Sequence, residues 1–317
     1  MRAIIQTGYG SADVMKRAEV DKPMQGDGEV LVRVRAASLA AGEYFGMRGR
    51  PFPIRFYIGF PTPRKDFVVG LDCAGVVEAV GPNVARFRPG DEVYGQCRGS
   101  CAEFAVAKEG SLAPKPAGLS FEQAAAVPTS ACTALQALRD HGKVWPGHKV
   151  LINGASGGVG PFAVQIAKAL GAEVTGVCST RNVEMVSSIG ADHVIDYTKE
   201  DFTKGSARYD VILDNVASHS LSATRRVLTP TGVHVPSSGH AGMGWVIAAS
   251  LAGMFVRQQG APFVAATNTE SLLALNELIE AGKVMPVIDR TYKLDQTADA
   301  FAYLDEGHAR GKVVIAI

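Results

Sequence analysis

The sequence lacks an excess of charge of either sign. Its 317 residues carry 32 Lys and Arg against 31 Asp and Glu, a formal net charge of +1. Nucleic acids and anionic membranes attract strongly basic surfaces, and this balance is typical of neither class of partner. The composition therefore predicts a small-molecule ligand, with no nucleic acid and no membrane as partner.

Cysteine is also scarce. The five residues Cys73, Cys97, Cys101, Cys132 and Cys178 are too few and too scattered for a disulfide scaffold, and their odd number suits a reducing compartment. A closed zinc site needs four ligands, and only Cys97 and Cys101 are close in sequence. We therefore predict free thiols and no metal.

Long hydrophobic runs are missing as well. MRAIIQTG, at residues 1–8, lacks the apolar core and cleavage site of a signal peptide. The most apolar segment, 241–256, is shorter than the roughly 20 residues that span a bilayer and is interpreted as a buried or site-covering helix. These features predict an intracellular, cytoplasmic protein.

The residue patterns predict two domains of an α/β protein. EVLVRVRAASL at 29–39 alternates like a strand, and the first third of the chain is β-rich. From about Phe121 helical and strand patterns alternate, as in KVLING, GPFAVQIAKALG and AEVTGVCS. Such alternation is typical of βαβ units over a doubly wound parallel sheet.

A glycine-rich turn, LINGASGGVGPFAVQIAK at 151–168, joins one of these strands to an amphipathic helix. Glycines let an anionic pyrophosphate approach the unpaired N–H groups of a helix N-terminus. The turn predicts a dinucleotide site, with a tight turn that binds nothing as the alternative. The predicted contacts are Gly154, Ser156, Gly157, Gly158, Val159 and Gly160.

The next predicted strand ends about 20 residues after the glycines, where an NAD enzyme usually carries an Asp or Glu for the ribose 2′ hydroxyl. Here the residues are Ser179, Thr180 and Arg181. Arg can pair with a 2′ phosphate and hydroxyls can donate to it. The three residues therefore predict NADPH as the cofactor, with a solvated surface Arg181 as the alternative.

Seven blocks, in order along nearly the whole chain, resemble one known family. They are GLDCAGVVEAVG (70–81), PGDEVYG (89–95), AAAVPTSACTALQAL (124–138), INGASGGVGPFAVQIAKALGA (152–172), GADHVIDY (190–197), YDVILDNV (209–216) and GHARGKVVI (307–315). The family is the medium-chain dehydrogenase/reductase superfamily, in its zinc-independent quinone oxidoreductase branch. The resemblance implies a GroES-like catalytic domain over 1–123, completed by 264–317, and a Rossmann NADPH-binding domain over 124–263.

The same resemblance implies further site residues. Thr133 and Val216 are expected beside the nicotinamide, Tyr197 near the 2′ phosphate or adenine, and Lys312 among the cofactor contacts. For Thr133 the alternative is helix packing, and for Tyr197 it is a strand-end aromatic that covers the sheet.

The chain departs from the family where the alcohol dehydrogenases hold zinc. The stretches that contribute metal ligands there read SLAAGEY, with Ala40 and Ala41, and GLDCAG, with Leu71 and Asp72, so the resemblance implies that ligands are missing and that alcohol oxidation loses its Lewis acid. Ala40 also replaces an Asn, and Phe45 a Tyr, found near the nicotinamide in many relatives. Tyr44, beside it in a predicted loop, is the catalytic candidate, with packing as the alternative; Tyr57 and His240 are weaker candidates.

These observations predict an NADPH-dependent oxidoreductase that transfers hydride, without zinc, to a quinone or an α,β-unsaturated carbonyl compound. The alternatives are an NADPH-binding protein with a regulatory or scaffolding role, and a zinc-free alcohol or aldehyde oxidoreductase. Residues 46–66 and 242–255 are expected to line the acceptor site. A homodimer is expected, with 261–267 as a candidate edge strand.

Overall fold

The structure is a computed structural model and describes residues 1–237, 242–307 and 309–317. The chain divides into two compact units. Unit 1 comprises Met1–Thr129, Thr267–Asn276 and Pro286–Ile317, and unit 2 comprises Ser130–Ala266 and Glu277–Met285. The catalytic and nucleotide-binding roles of the two predicted domains stay a prediction.

Strands and helices are numbered in chain order. The strands are β1 (Arg2–Gln6), β2 (Met15–Glu19), β3 (Glu29–Leu39), β4 (Asp72–Val80), β5 (Glu92–Gln96), β6 (Phe104–Lys108), β7 (Leu112–Pro114), β8 (Lys149–Asn153), β9 (Glu173–Cys178), β10 (His193–Asp196), β11 (Tyr209–Asp214), β12 (Leu228–Pro236), β13 (Ile288–Lys293) and β14 (Lys312–Ala316). The helices are α1 (Ala41–Arg48), α2 (Ile54–Ile58), α3 (Phe121–Ala125), α4 (Pro128–Gln136), α5 (Gly160–Ala169), α6 (Val183–Ser188), α7 (Leu221–Arg226), α8 (Gly242–Phe255), α9 (Thr269–Glu280) and α10 (Thr297–Asp305).

Unit 1 is built on a seven-stranded sheet. Its strand order is β13-β14-β3-β4-β5-β7, and β6 also pairs with β3. The strand predicted over 29–39 is confirmed as β3, because Val30, Val32 and Val34 are buried in one hydrophobic cluster while Arg33 and Arg35 are exposed. A separate antiparallel pair, β1 and β2, completes the β structure of this unit.

Unit 2 contains a five-stranded parallel sheet with the order β10-β9-β8-β11-β12. The order reverses at β8, since β9 and β10 lie on one side of it and β11 and β12 on the other. Ligands of open α/β sheets bind outside the carboxyl ends of the strands at such a switch point. The glycine turn follows β8 directly, so the topology places it at this end of the sheet.

The helix predicted over 241–256 is present as α8, with Ile247 and Leu251 more than half exposed. Within the described residues, no helix combines the length and apolar character needed to cross a membrane. The candidate His240 lies outside the described residues.

Two local predictions were wrong. The apolar segment 261–267 forms no strand, and its Val264 is 97% exposed. An apolar pattern does not form a strand without a neighbouring strand to pair with. Tyr44 and Phe45 belong to helix α1 instead of a loop. Glu43 reaches back to the backbone N–H of Ala40 and so stabilises the start of that helix.

Candidate functional site

The glycine turn of unit 2 uses its glycines in two ways. Gly154 has a φ of +81°, and a Cβ atom on Gly160 would lie 2.2 Å from the carbonyl oxygen of Gly154. These two glycines are therefore required by the fold. Among the described residues, a Cβ on Gly157 would meet no protein atom closer than 3.8 Å. The space at Gly157 is thus open, which is what a ligand needs in order to approach the backbone.

Helix α5 begins directly behind this open space. No side chain caps its N-terminus, and its first turn contains no acidic residue. The leading N–H groups of a helix carry a partial positive charge, and neither a capping side chain nor an acidic residue of the first turn neutralises it here. The arrangement fits an anionic group such as a pyrophosphate, with Ser156 and residues 157–159 partly exposed around it.

Asn182 connects the glycine turn to the end of β9. Its Nδ2 donates to Ser156 Oγ at 3.0 Å and to Ser179 Oγ at 3.2 Å. Its Oδ1 is buried and accepts no hydrogen bond from the described residues. An unsatisfied buried acceptor is costly, and a hydroxyl of a bound nucleotide would satisfy it. Sequence reasoning missed Asn182, although its place just after the strand was visible.

The residues predicted to recognise the 2′ phosphate come together with a carboxylate that was not predicted. Thr180 and Arg181 lie in a single 3-10 turn, Thr180–Asn182, that follows β9. Asp196, the last residue of β10, pairs with Cys178 across the sheet. Its carboxylate accepts a hydrogen bond of 2.6 Å from Thr180 Oγ1. Tyr197, the next residue, is 62% exposed.

Hydrogen bonds keep Asp196 ionised. The Thr180 hydroxyl above all, and then Thr198, hold the pKa of Asp196 well below its usual range. Lys199 Nζ lies 3.1 Å from the same carboxylate. Arg181 and Lys199 are both exposed.

Val216 follows the end of β11 and is 42% exposed. It lies against the glycine turn, because a Cβ atom on Gly154 would be 2.7 Å from Val216 Cγ2. The buried Asp214 accepts from the backbone N–H groups of Val216 at 3.1 Å and Ala217 at 2.7 Å. Burial raises the pKa of Asp214, but hydrogen bonds from His234 and from Ala217 keep this pKa below its usual range. The carboxylate therefore fixes the position of Val216.

Two other polar groups of unit 2 bear on the predicted site. Asn215, between Asp214 and Val216, has a buried Nδ2 with no acceptor among the described residues. Thr133 lies on α4 and is half-buried. The structure thus brings Val216 to the glycine turn, and the role of Thr133 beside a nicotinamide stays a prediction.

Unit 1 holds a buried charged cluster, which we define as Glu43, Asp72 and Lys312. Lys312 was predicted to contact the cofactor. The structure places it 1% exposed, with Nζ donating to the carbonyl of Leu39 at 3.0 Å and lying 3.8 Å from Asp72 Oδ2. Its ammonium group therefore has partners inside unit 1.

Glu43 occupies the region where the zinc ligands of alcohol dehydrogenases are missing. Its carboxylate accepts from the backbone N–H of Ala40 at 3.0 Å and of Leu71 at 3.1 Å, one residue from each of the two stretches in which the resemblance places zinc ligands. Burial, and then the neighbouring Asp72, raise the pKa of Glu43 to about 7. In the described part of the chain, no three His, Cys, Asp or Glu side chains are grouped so that they could hold a metal.

Tyr44, the catalytic candidate, packs its ring against Phe45 at 5.5 Å between centroids and lies under the Arg48 guanidinium. Hydrogen bonds from Arg48 and from Tyr44 lower the pKa of Asp305. The hydroxyl of Tyr44 is therefore engaged with Asp305. Whether it also acts on a substrate stays a prediction.

An exposed aromatic cluster lies in the predicted acceptor segment. Phe52, Phe56 and Phe60 are 54–65% exposed and contact one another, with ring centroids 5.7 to 6.1 Å apart. Tyr57 is 59% exposed on the same short helix α2. Exposed rings in mutual contact form an apolar surface that suits a flat ligand.

Two family descriptions match the chain. "Alcohol dehydrogenase GroES-like domain" matches residues 26–137, and "Zinc-binding dehydrogenase" matches residues 189–315. The resemblance places the zinc ligands of the alcohol dehydrogenases in the stretches that read SLAAGEY and GLDCAG here, and it implies that the ligands are missing from both.

Similar proteins cover the whole chain. A 2-methylene-furan-3-one reductase of Solanum lycopersicum is 36% identical over 330 residues, which cover 99% of this chain and 79% of the relative. An NADPH-dependent alkenal/one oxidoreductase from the chloroplast of Arabidopsis thaliana is 34% identical with the same coverage. The solved quinone oxidoreductase of Coxiella burnetii superimposes with a TM-score of 0.89 at 30% identity and covers 100% of this chain and 99% of that one.

Proposed function

Because the chain belongs to the zinc-independent, quinone-oxidoreductase-like branch of the medium-chain dehydrogenase/reductase superfamily, we propose that it is an NADPH-dependent reductase of quinones or α,β-unsaturated carbonyl compounds. The observation that carries the proposal is the open space at Gly157 before the uncapped N-terminus of α5. The relatives supply the acceptor class, since they are named as reductases of alkenals, enones and quinones.

The residues of unit 2 have distinct roles in this proposal. The backbone of the glycine turn binds the pyrophosphate, while Ser179, Thr180, Arg181 and Tyr197 surround the 2′ position of the adenosine ribose. Val216, held by Asp214, and Thr133 position the nicotinamide. When bound, the reduced nicotinamide supplies the hydride. The carbonyl oxygen of a conjugated acceptor takes up the charge that arrives with it.

The residues that contact the acceptor are proposed from unit 1. The exposed rings of Phe52, Phe56 and Phe60 support a flat conjugated acceptor, and Tyr44 is the proposed substrate contact. The hydrogen bond from Tyr44 to Asp305 uses the one hydrogen of this hydroxyl, so Tyr44 can offer a substrate lone pairs only. Water is therefore the proposed proton donor that completes the reduction by protonating the acceptor.

We also propose a cytoplasmic homodimer. The five cysteines are free and buried, which supports a reducing compartment. The sheet of unit 2 ends at β12, and an edge strand can pair with a second copy of itself. Sedimentation of the purified protein tests the dimer, and a monomer at all concentrations would exclude it.

The test is a panel assay. Purified protein is mixed with NADPH and with small quinones, 2-alkenals and enones, and the absorbance of the reduced cofactor is followed. The saturated analogue of each enone is the matched control, because it lacks the conjugated double bond that accepts hydride. Oxidation of NADPH with the conjugated compounds only is the expected result, and prior treatment with a chelator should not change the rate.

The same assay separates the alternatives. Tight NADPH binding without oxidation by any acceptor would favour the regulatory or scaffolding role, since a cofactor fold does not guarantee turnover. Oxidation of simple alcohols at the expense of NADP⁺ would favour the alcohol oxidoreductase.

A further inference from the structure

The carboxylate of Asp196 lies at the proposed 2′ end of the nucleotide site and has no role in the proposal so far. Strands β9 and β10 are parallel neighbours, so their carboxyl ends meet and Asp196 lies beside the turn that contains Thr180 and Arg181. Its side chain is 10% exposed. It accepts from Thr180 Oγ1 at 2.6 Å, from Thr198 Oγ1 at 2.8 Å and from Thr198 N at 3.0 Å.

These bonds use the hydrogen atoms of both hydroxyl groups. A threonine hydroxyl has one hydrogen to donate and two lone pairs that accept. Thr180 and Thr198 each direct that hydrogen at Asp196, and their oxygens are 3.0 Å apart. Toward a ligand, both hydroxyls therefore offer lone pairs only.

This orientation distinguishes the two nicotinamide nucleotides. The ribose 2′ hydroxyl of NADH can donate to a lone pair of Thr180. The 2′ phosphate of NADPH carries negative charge and only accepts, so it needs donors and cations. Arg181 and Lys199 supply positive charge at this end, but Lys199 Nζ lies 3.1 Å from Asp196 and is partly neutralised by it.

We propose that Asp196 is a specificity-determining residue that weakens NADPH binding by orienting the hydroxyls of Thr180 and Thr198 and by offsetting the charge of Lys199, so that the site also accepts NADH. The inference rests on the proposed function of unit 2 as a nicotinamide nucleotide site. It revises the expectation that the hydroxyl of Thr180 donates to a 2′ phosphate.

The test is titration calorimetry of the purified, cofactor-free protein with NADPH and, separately, with NADH. Asp196→Asn removes the charge, keeps the shape, and lets the new amide donate to one hydroxyl and so free its hydrogen. NADPH should bind about tenfold more tightly, the size expected when one surface charge beside a phosphate is removed. The affinity for NADH should change less than about twofold.

Asp192→Asn is the matched control, because Asp192 precedes the same strand β10 at its opposite end and pairs with Lys168. It removes the same charge and should leave the ratio of the two affinities unchanged. An equal shift in both variants, or none in Asp196→Asn, would overturn the inference.

Thr180→Val gives an independent answer that does not require Asp196→Asn to fold. If Thr180 accepts from the ligand, its loss weakens NADH several-fold and leaves NADPH unchanged. If NADPH is weakened more than NADH, Thr180 donates to the phosphate and the inference is wrong. Failure of the wild-type protein to bind either nucleotide would instead refute the proposed function, so the two failures are distinguishable.

Discussion

Two polar clusters of this protein differ in whether their buried polar atoms have hydrogen-bond partners. In unit 2, Asn182 Oδ1 is buried without a partner among the described residues, and the space at Gly157 is open. In unit 1, Glu43, Asp72 and Lys312 are buried and directed at one another and at backbone groups. Unsatisfied polar atoms and open space indicate a place for a ligand, whereas paired buried charges indicate a structural role.

The largest effect is expected from breaking the buried charged cluster. Lys312→Met leaves two carboxyl groups buried without their cation, and removing one partner of a buried pair costs about 3–5 kcal/mol of the free energy of unfolding. Urea unfolding measures the loss. Lys168→Met is the matched control, since it breaks the partly exposed pair with Asp192 and should cost about 1 kcal/mol or less.

A small loss of unfolding free energy in Lys312→Met, together with weakened binding of NADPH, would contradict the structural role of this cluster. Lys312 would then contact the cofactor, as the sequence predicted, and the cluster of unit 1 would be part of the binding site.

The second effect is a pH dependence of stability carried by Glu43. Burial and Asp72 raise its pKa from 4.5 to about 7, so the folded protein keeps a proton that the unfolded chain releases. The free energy of unfolding therefore falls as the pH rises from about 4.5 to about 7, by about 3 kcal/mol in total. The stabilisation contributed by protonated Glu43 is fully present below this window and is lost above it.

Glu43→Gln removes this dependence, because the amide does not titrate. Unfolding free energies of both proteins, measured across the window, should differ by an amount that grows as the pH rises. Parallel profiles would show that Glu43 is not protonated in the folded protein near pH 6.

The third effect is expected from a substitution that fills the open space at Gly157 in unit 2. Gly157→Val adds a side chain whose Cβ lies no closer than 3.8 Å to any described protein atom, so we expect the fold to be retained and the ligand to be excluded. NADPH binding should weaken by about 100-fold, the value of one or two hydrogen bonds to an anion. Calorimetry measures the affinity, and the thermal midpoint should change little.

Gly160→Ala is the contrasting variant in the same turn. Its Cβ would lie 2.2 Å from a backbone oxygen, so it should lower stability by about 1–3 kcal/mol instead of acting on the ligand alone. If Gly157→Val destabilised the protein as much as Gly160→Ala, the open space would not be a binding surface.

The smallest effect concerns the 2′ end. Arg181→Ala should weaken NADPH about tenfold and leave NADH nearly unchanged, because only NADPH carries the additional phosphate. Arg208→Ala is the control, since this exposed arginine precedes β11 at the other end of the sheet. Equal weakening of both nucleotides by Arg181→Ala would mean that the phosphate is held elsewhere.

Local patterns predicted the elements of the fold well. The alternation at 29–39 gave the bounds of β3, and the glycine turn between β8 and α5 followed from the strand, the glycines and Pro161. These features depend on residues close together in sequence. The prediction of a strand over 261–267 was wrong because a strand also needs a pairing partner, which local sequence does not reveal.

The missed site residues depend on long-range pairing. Asp196 meets Thr180 because β9 and β10 are neighbours, and Glu43 meets Leu71 across 28 positions of sequence. HVIDY and SLAAGEY showed these carboxylates in the sequence, but not what they bind. Asn182 was missed for the same reason, since its partner Ser156 is 26 residues away.

The most direct test of the central claim is titration calorimetry of the unmodified, cofactor-free protein with NADPH. The claim is that the open glycine turn of unit 2 binds a nicotinamide nucleotide. The expected result is one NADPH bound per chain with a dissociation constant in the micromolar range or below. Absence of measurable binding of either NADPH or NADH to a folded protein would contradict it.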